Sequence, residues 1–281
     1  MSNMLNVELQ ARRIEHAATR EVEVGIEGCA VVQGGMGVGV SGWPLARAVA
    51  ATGQLGVVSG TAIDAVHARQ LQDGDPGGHL RRAYERFPIP DVADRVLRRW
   101  YADGGRRTGA GYRAHPMWRI RPARSHVELV VVANFAEVWL AKEGHDGPVG
   151  VNHLEKVQMA IAPSLYGALL ADVDAVLMGA GIPSAIPQLL TRLAAGRAVD
   201  VRVDVAGLAA GTEVRARFDP AYLGPTAPRR RPPFLAIVSS VSLARFLARD
   251  PDTRPDGVVV ELPSAGGHNA PPRGPRRLDE S

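Results

Sequence analysis

The residues best equipped for chemistry in this chain are Gly266, Gly267 and His268, which follow an apolar run from Val258 to Ala265. Two glycines leave the backbone bare enough to touch a flat ligand. The histidine beside them brings an imidazole with an ordinary pKa near ~6.5, suited to taking a proton from a carbon acid. A lone histidine in a loop is more often solvated or structural, but none of the other seven histidines has comparable surroundings. A second cluster, Gln33-Gly34-Gly35-Met36-Gly37, is a glycine-rich turn between an apolar segment and a helix. Gly35 and Met36 are placed to lay bare backbone against a ring, with a ligand-free tight turn as the alternative. Asn152 ends the run Pro148-Val149-Gly150-Val151. An amide at the C-terminal end of a parallel strand points into the usual ligand crevice of α/β folds, although asparagine also caps turns.

Other constellations are weaker. Gly37, Gly39 and Gly42 spell G-x-G-x-x-G, the dinucleotide fingerprint. The next strand, however, ends in Ser59 and lacks the acidic residue that would bind a ribose; the first one there, Asp64, lies inside the following helix. Gly179, in Met178-Gly179-Ala180-Gly181, repeats the pattern of glycine after a strand. Ser239 and Ser240 follow another strand, where Ser239 can bond a ligand and Ser240 reads as a helix cap. Asp146 beside His145 raises the thought of a metal, but no third ligand is at useful spacing, so no metal is expected.

These residues need elements to hold them. Short apolar runs alternate with helix-length segments, the signature of βα units around a parallel sheet. Strands are expected at residues 29–33, 55–59, 129–132, 149–152, 175–178, 234–238 and 258–261. Helices are expected from Pro44 to about Gly53 and over 62–71, 135–142, 164–170, 183–193 and 241–248. Residues 73–124 break the rhythm with dense Gly, Pro and Arg and one helix at 91–101, as a surface insertion would. Residues 199–205 and 213–218 alternate apolar and charged side chains, which suggests an antiparallel hairpin with one wet face. The hairpin and a proline-arginine linker make an excursion over 199–233.

Composition narrows the class. At 281 residues and 46% hydrophobic content, one α/β domain over 1–281 is expected. No run of 18 apolar residues and no signal-peptide pattern appear, so neither a membrane span nor export is expected. One cysteine, Cys29, excludes an internal disulfide, and a reducing cytoplasm is the default compartment. The net charge is only +4, and the arginines are scattered without interleaved aromatics. A nucleic-acid partner is therefore not expected.

The order of these pieces resembles the nitronate monooxygenase (2-nitropropane dioxygenase) family of FMN-dependent (β/α) barrels. The residues that carry the resemblance are Gln33-Gly34-Gly35-Met36-Gly37, Leu55-Gly56-Val57-Val58-Ser59, Gly150-Val151-Asn152, Val238-Ser239-Ser240 and Ala265-Gly266-Gly267-His268. The resemblance implies a TIM-type α/β barrel in which Gly35, Met36 and Asn152 contact FMN, with Gly179 and Ser239 expected at the same cofactor site from their places after strands. Gly266 and Gly267 would lie against the cofactor and His268 would act as base. The implied partners are a nitronate or nitroalkane and O2. A flavin-dependent enoyl-thioester reductase is similar through the same Gly-Gly-His strand and would use NAD(P)H instead.

In that family, further strands carry a Gly-Gly turn and a Gly-Thr turn that bind the FMN phosphate, and this chain ends at Ser281 before either. A barrel needs eight βα units; about six strands are countable here, or seven with 129–132. The expectation is an incomplete barrel that lacks its C-terminal βα units. A second copy or a complementing C-terminal fragment would then be its protein partner. A non-catalytic remnant is the rival reading.

Overall fold

The computed structural model of the chain describes residues 26, 28–209, 211–262 and 265. Its elements in chain order are α1 (Trp43–Ala50), β1 (Gly56–Ser59), α2 (Ile63–Gln72), α3 (His79–Tyr84), α4 (Pro90–Trp100) and α5 (Arg124–Lys142). Then follow β2 (Val149–Leu154), α6 (Gln158–Leu170), β3 (Ala175–Gly179), α7 (Ile186–Ala194), β4 (Val199–Val203) and β5 (Val214–Phe218). After a single 3-10 turn at Pro220–Tyr222 come β6 (Phe234–Val238), α8 (Val241–Ala248) and β7 (Gly257–Val260). The fold is α/β, with a five-stranded sheet in the order β1-β2-β3-β6-β7 and a separate β4-β5 pair. Every neighbouring pair in the large sheet is parallel. Each strand is laid beside its predecessor in one direction, without the reversal of order that marks a doubly wound sheet.

Strand alternation sends side chains to two different environments. Val58, Val149, Val151, Val176, Met178, Phe234 and Val238 join the main core together with the helices. The opposite face holds a small cluster of Leu55, Val57, Ala175 and Leu177, flanked by partly buried Cys29, Leu235, Ile237 and Val259. The helices that touch the sheet pack on the first face. The second is called the inner face below.

The strand expected at 129–132 is instead the middle of α5. Fifteen of the 19 residues of that helix are buried, because it is surrounded by α1, α2, α3, α4, α6 and the sheet. A helix that is apolar all round loses its 3.6-residue stripe, and a short window of it looks like a buried strand. Residues 29–33 also differ from expectation. They are extended and meet β1 through one parallel bridge, Val32 to Leu55, with Val31 and Val32 exposed at 56% and 45%. The segment is an exposed edge, not a buried strand.

Helix α6 begins at Gln158, six residues before the expected start, and runs through Pro163. Helix α7 starts at Ile186, not at Pro183. Within 73–124 the helix expected near 91–101 forms as α4, and α3 forms as well; Leu80, Tyr84, Val96 and Trp100 enter the main core. The hairpin is antiparallel, and β4 alternates buried and exposed residues as expected. Among the described residues, no helix is long and apolar enough to cross a membrane.

Two contacts fix the helix layer. Gly167 of α6 lies so close to the Val131 carbonyl of α5 that a Cβ there would overlap it. Glu137 of α5 accepts from the backbone N–H of Trp43 (2.6 Å) and meets His67 Nε2 at 3.0 Å, which joins the start of α1 to α2. The carboxylate caps a helix N-terminus, where the backbone partial charge is positive.

Candidate functional site

The C-terminal ends of parallel strands gather several of the residues singled out from the sequence. The turn after residue 33 is pinned there first. Gln33 Oε1 accepts from Val57 N (2.9 Å), and Ser41 Oγ donates to the carbonyls of Gly34 (3.0 Å) and Met36 (2.7 Å). These bonds hold Gly35, which is buried, across the inner face. A Cβ on Gly35 would come within 2.8 Å of Asn152 Cβ and would overlap the Val57 side chain. Packing against the sheet is therefore one reason for glycine here. Met36 is half-buried, and Gly34 is exposed.

Asn152 lies beside Gly35. It is 3% exposed, and its Oδ1 has no hydrogen-bond partner. Buried amide oxygens are nearly always bonded, so this one is an acceptor in want of a donor. Asn152 has the parity of Gly150, whose missing Cβ faces Leu177 and Val57, so it is on the inner face. Gly179 has the parity of Ala175 and Leu177, and a Cβ on it would meet Ile237 Cβ at 2.9 Å. Ser239 follows Ile237 by two and is half-buried just past the end of β6. Gly35, Asn152, Gly179 and Ser239 thus share one face; β2 runs on to Leu154, so Asn152 stands two residues short of its expected place at the strand end and two register steps before Gly179. Ser240 caps α8, accepting from Leu243 N at 3.2 Å. Gly266, Gly267 and His268 lie outside the described residues.

The helix-covered side of the same rim holds groups that sequence reasoning passed over. His153, 3% exposed, has an Nε2 without a partner, and burial pushes its imidazole pKa down to about 4. Asn134 Oδ1 is likewise unpartnered. Gly60 separates the two: a Cβ there would stand 2.9 Å from His153 Nε2 and 2.5 Å from Asn134 Oδ1. Glu155, at the end of β2, is partly buried and its carboxyl is raised above the ordinary range by desolvation.

A third group is the set with metal-ligand chemistry. Asp64 stands in the first turn of α2 and His126 in the first turn of α5, while His115 comes from the irregular segment between α4 and α5. Asp64 Oδ2 is 2.8 Å from His115 Nε2 and 3.4 Å from His126 Nε2. Burial by itself would raise the Asp64 carboxyl, but the two imidazoles outweigh it and hold the group well below the usual carboxylate range. The sequence carried no signal for this set, because Asp64 is 51 residues from His115 and the ligands come from three separate elements. His145, by contrast, is used up by its own turn. Its Nε2 bonds the Ala141 carbonyl and its Nδ1 accepts from Gly147 N.

Two of these arrangements have ligand potential. The inner-face rim holds a buried, unpartnered amide oxygen beside the backbone of Gly35, whereas the aspartate and two histidines offer three donor atoms to a cation. No protein-family model and no curated protein matches the chain.

Proposed function

We propose that this chain is an FMN-dependent oxidoreductase of nitronate monooxygenase type, and that its one-directional parallel sheet is part of a (β/α) barrel. The observation that carries the reading is the buried, unpartnered Oδ1 of Asn152 on the inner face beside Gly35. Gly179 and Ser239, staggered by two residues per strand toward the C-terminal ends on the same face, support it, as does the coverage of the sheet by helices on one face. Barrels place their chemistry at this end of the strands.

The residues present fit such a group. Asn152 Oδ1 would accept a hydrogen bond from the cofactor's ring edge, and Gly35, Met36, Gly179 and Ser239 would line its surroundings. When bound, FMN supplies electron acceptance and reaction with O2, which carries the oxidation of a nitronate or nitroalkane. The protein's part is to orient the substrate and move its proton. Gly266 and Gly267 would give bare backbone against the ring, and His268 would take the proton on the substrate carbon through its neutral imidazole.

The visible spectrum of the purified chain, after incubation with excess FMN and desalting, tests this. Retained flavin absorbance in the wild type, reduced in Asn152→Leu, is the expected result. His268→Asn should keep the flavin and lose nitroalkane turnover. A folded wild-type protein that retains no flavin overturns the reading in favour of a non-catalytic chain. Rapid bleaching of bound flavin by NAD(P)H transfers it to an enoyl-thioester reductase.

A further inference from the structure

We propose that Asp64, His115 and His126 bind a first-row divalent metal ion of Zn2+ type, and that the ion clamps the segment between α4 and α5 onto the ends of α2 and α5. The proposal is independent of flavin binding, since none of these side chains is on the inner face.

Geometry is the first support. One ligand atom from each residue lies within 4.8 Å of the others. Tetrahedral zinc with bonds of about 2.0–2.1 Å sets its ligand atoms about 3.3 Å apart. The His126–Asp64 distance of 3.4 Å already has that spacing, and the His115–Asp64 contact at 2.8 Å has closed to a hydrogen bond. Opening it takes roughly half an ångström of side-chain movement, and the two imidazole nitrogens, within 4.8 Å of each other, draw in toward the same spacing.

The second support is independent. His126 is 2% exposed, and its Nε2, 3.4 Å from Asp64 Oδ2, makes no hydrogen bond. A desolvated ring nitrogen without a partner is rare in native structures and calls for an explanation such as a bound ion. The 3.4 Å approach to Asp64 does not meet hydrogen-bond geometry, so the network within the cluster leaves this nitrogen unused.

The surroundings suit a metal site. The Trp118 ring lies 4.3 Å from the His126 ring, and the Trp100 ring is stacked on His115 with centroids 6.4 Å apart. These indoles hold both imidazoles in orientation and keep water away from one side. His115 is the only partly open member of the three, with 24% of its side chain exposed, so it marks the entry path and a place for a water as fourth ligand. Two imidazoles and one carboxylate, with no thiolate, favour zinc and its first-row neighbours over calcium or magnesium, which take all-oxygen sets. Asp64 and His126 belong to helices in the core, so the ion would tie the irregular chain carrying His115 to a rigid frame.

Untagged protein, stripped with a chelator and kept free of flavin, is titrated with Zn2+ and with Co2+ as a spectroscopic probe. The expected result is one saturable equivalent lost in both His115→Ala and Asp64→Asn. His145→Ala, whose ring serves only its own turn, should bind as the wild type does. Because His115 is on an irregular, partly exposed segment, its variant should fold normally by circular dichroism. Protease cleavage between α4 and α5 should slow with Zn2+ in the wild type and not in His115→Ala. A wild type with no saturable binding, or a His115→Ala variant that binds unchanged, overturns the proposal.

Discussion

Acidification should destabilise this protein through one residue, His153, by an amount that can be worked from its burial. The imidazole is enclosed by Thr61, Leu154, Val157, Ala160, Ile161 and Ser164, with Gly60 and Asn134 on its other side. None of these is charged, and desolvation alone moves the pKa from 6.5 to about 4. Between those values the unfolded chain binds a proton that the folded chain refuses. Stability therefore rises with pH across the window and is lost as pH falls through it. At about 1.4 kcal/mol per pKa unit, the loss from this one group reaches about 3 kcal/mol by pH 4, a large fraction of a typical domain's stability. Urea unfolding of the wild type and of His153→Leu, followed from pH 7 to pH 4, isolates it, because all other titrating groups act alike in both proteins. The stability difference between the two should shift by about 3 kcal/mol in favour of the leucine variant as pH falls. Should leucine fail to fold, His153→Gln serves the same purpose. A difference that does not change with pH would refute the argument that burial keeps this ring neutral.

Two further substitutions probe the helix layer by urea midpoint. Gly167→Ala would gain up to about 1 kcal/mol of helix propensity on an exposed helix. Here its Cβ meets the Val131 carbonyl and stands 3.0 Å from Asn134 Cβ, so a net loss of about 1–3 kcal/mol is expected, and a stabilised variant contradicts the α5–α6 contact. Glu137→Leu leaves the Trp43 N–H and His67 Nε2 without their partner and should cost about 3 kcal/mol. Glu137→Gln, which can still accept from Trp43, should cost less than half of that; equal losses would mean that the negative charge, and not acceptance from Trp43, carries the contribution.

Elements with their own local pattern were legible in the chain. Helix α8 occupies the very residues its cap and spacing indicate, because Ser240 supplies the N-cap and the apolar positions fall on one stripe. Strands β3 and β6 were equally plain as short apolar runs bounded by turn residues. The charged alternation of β4 and β5 survives folding because a half-wet hairpin imposes a period of two on its own residues. Residues 129–132 could not be read this way, since α5 is buried on every side and retains no contrast between faces.

The same division runs through the candidate sites. Sequence alone determined which positions carry bare backbone, an amide or a hydroxyl, and that Asn152, Gly179 and Ser239 belong to or follow strands of a parallel α/β fold. Those are properties of residue type and local order. Only the tertiary structure decided that Asn152 keeps an unpartnered oxygen beside Gly35, that His153 is held neutral, and that Asp64 meets His115 and His126. Desolvation, orphaned polar atoms and ligand distances are created when separate elements pack together, and no local spacing encodes them.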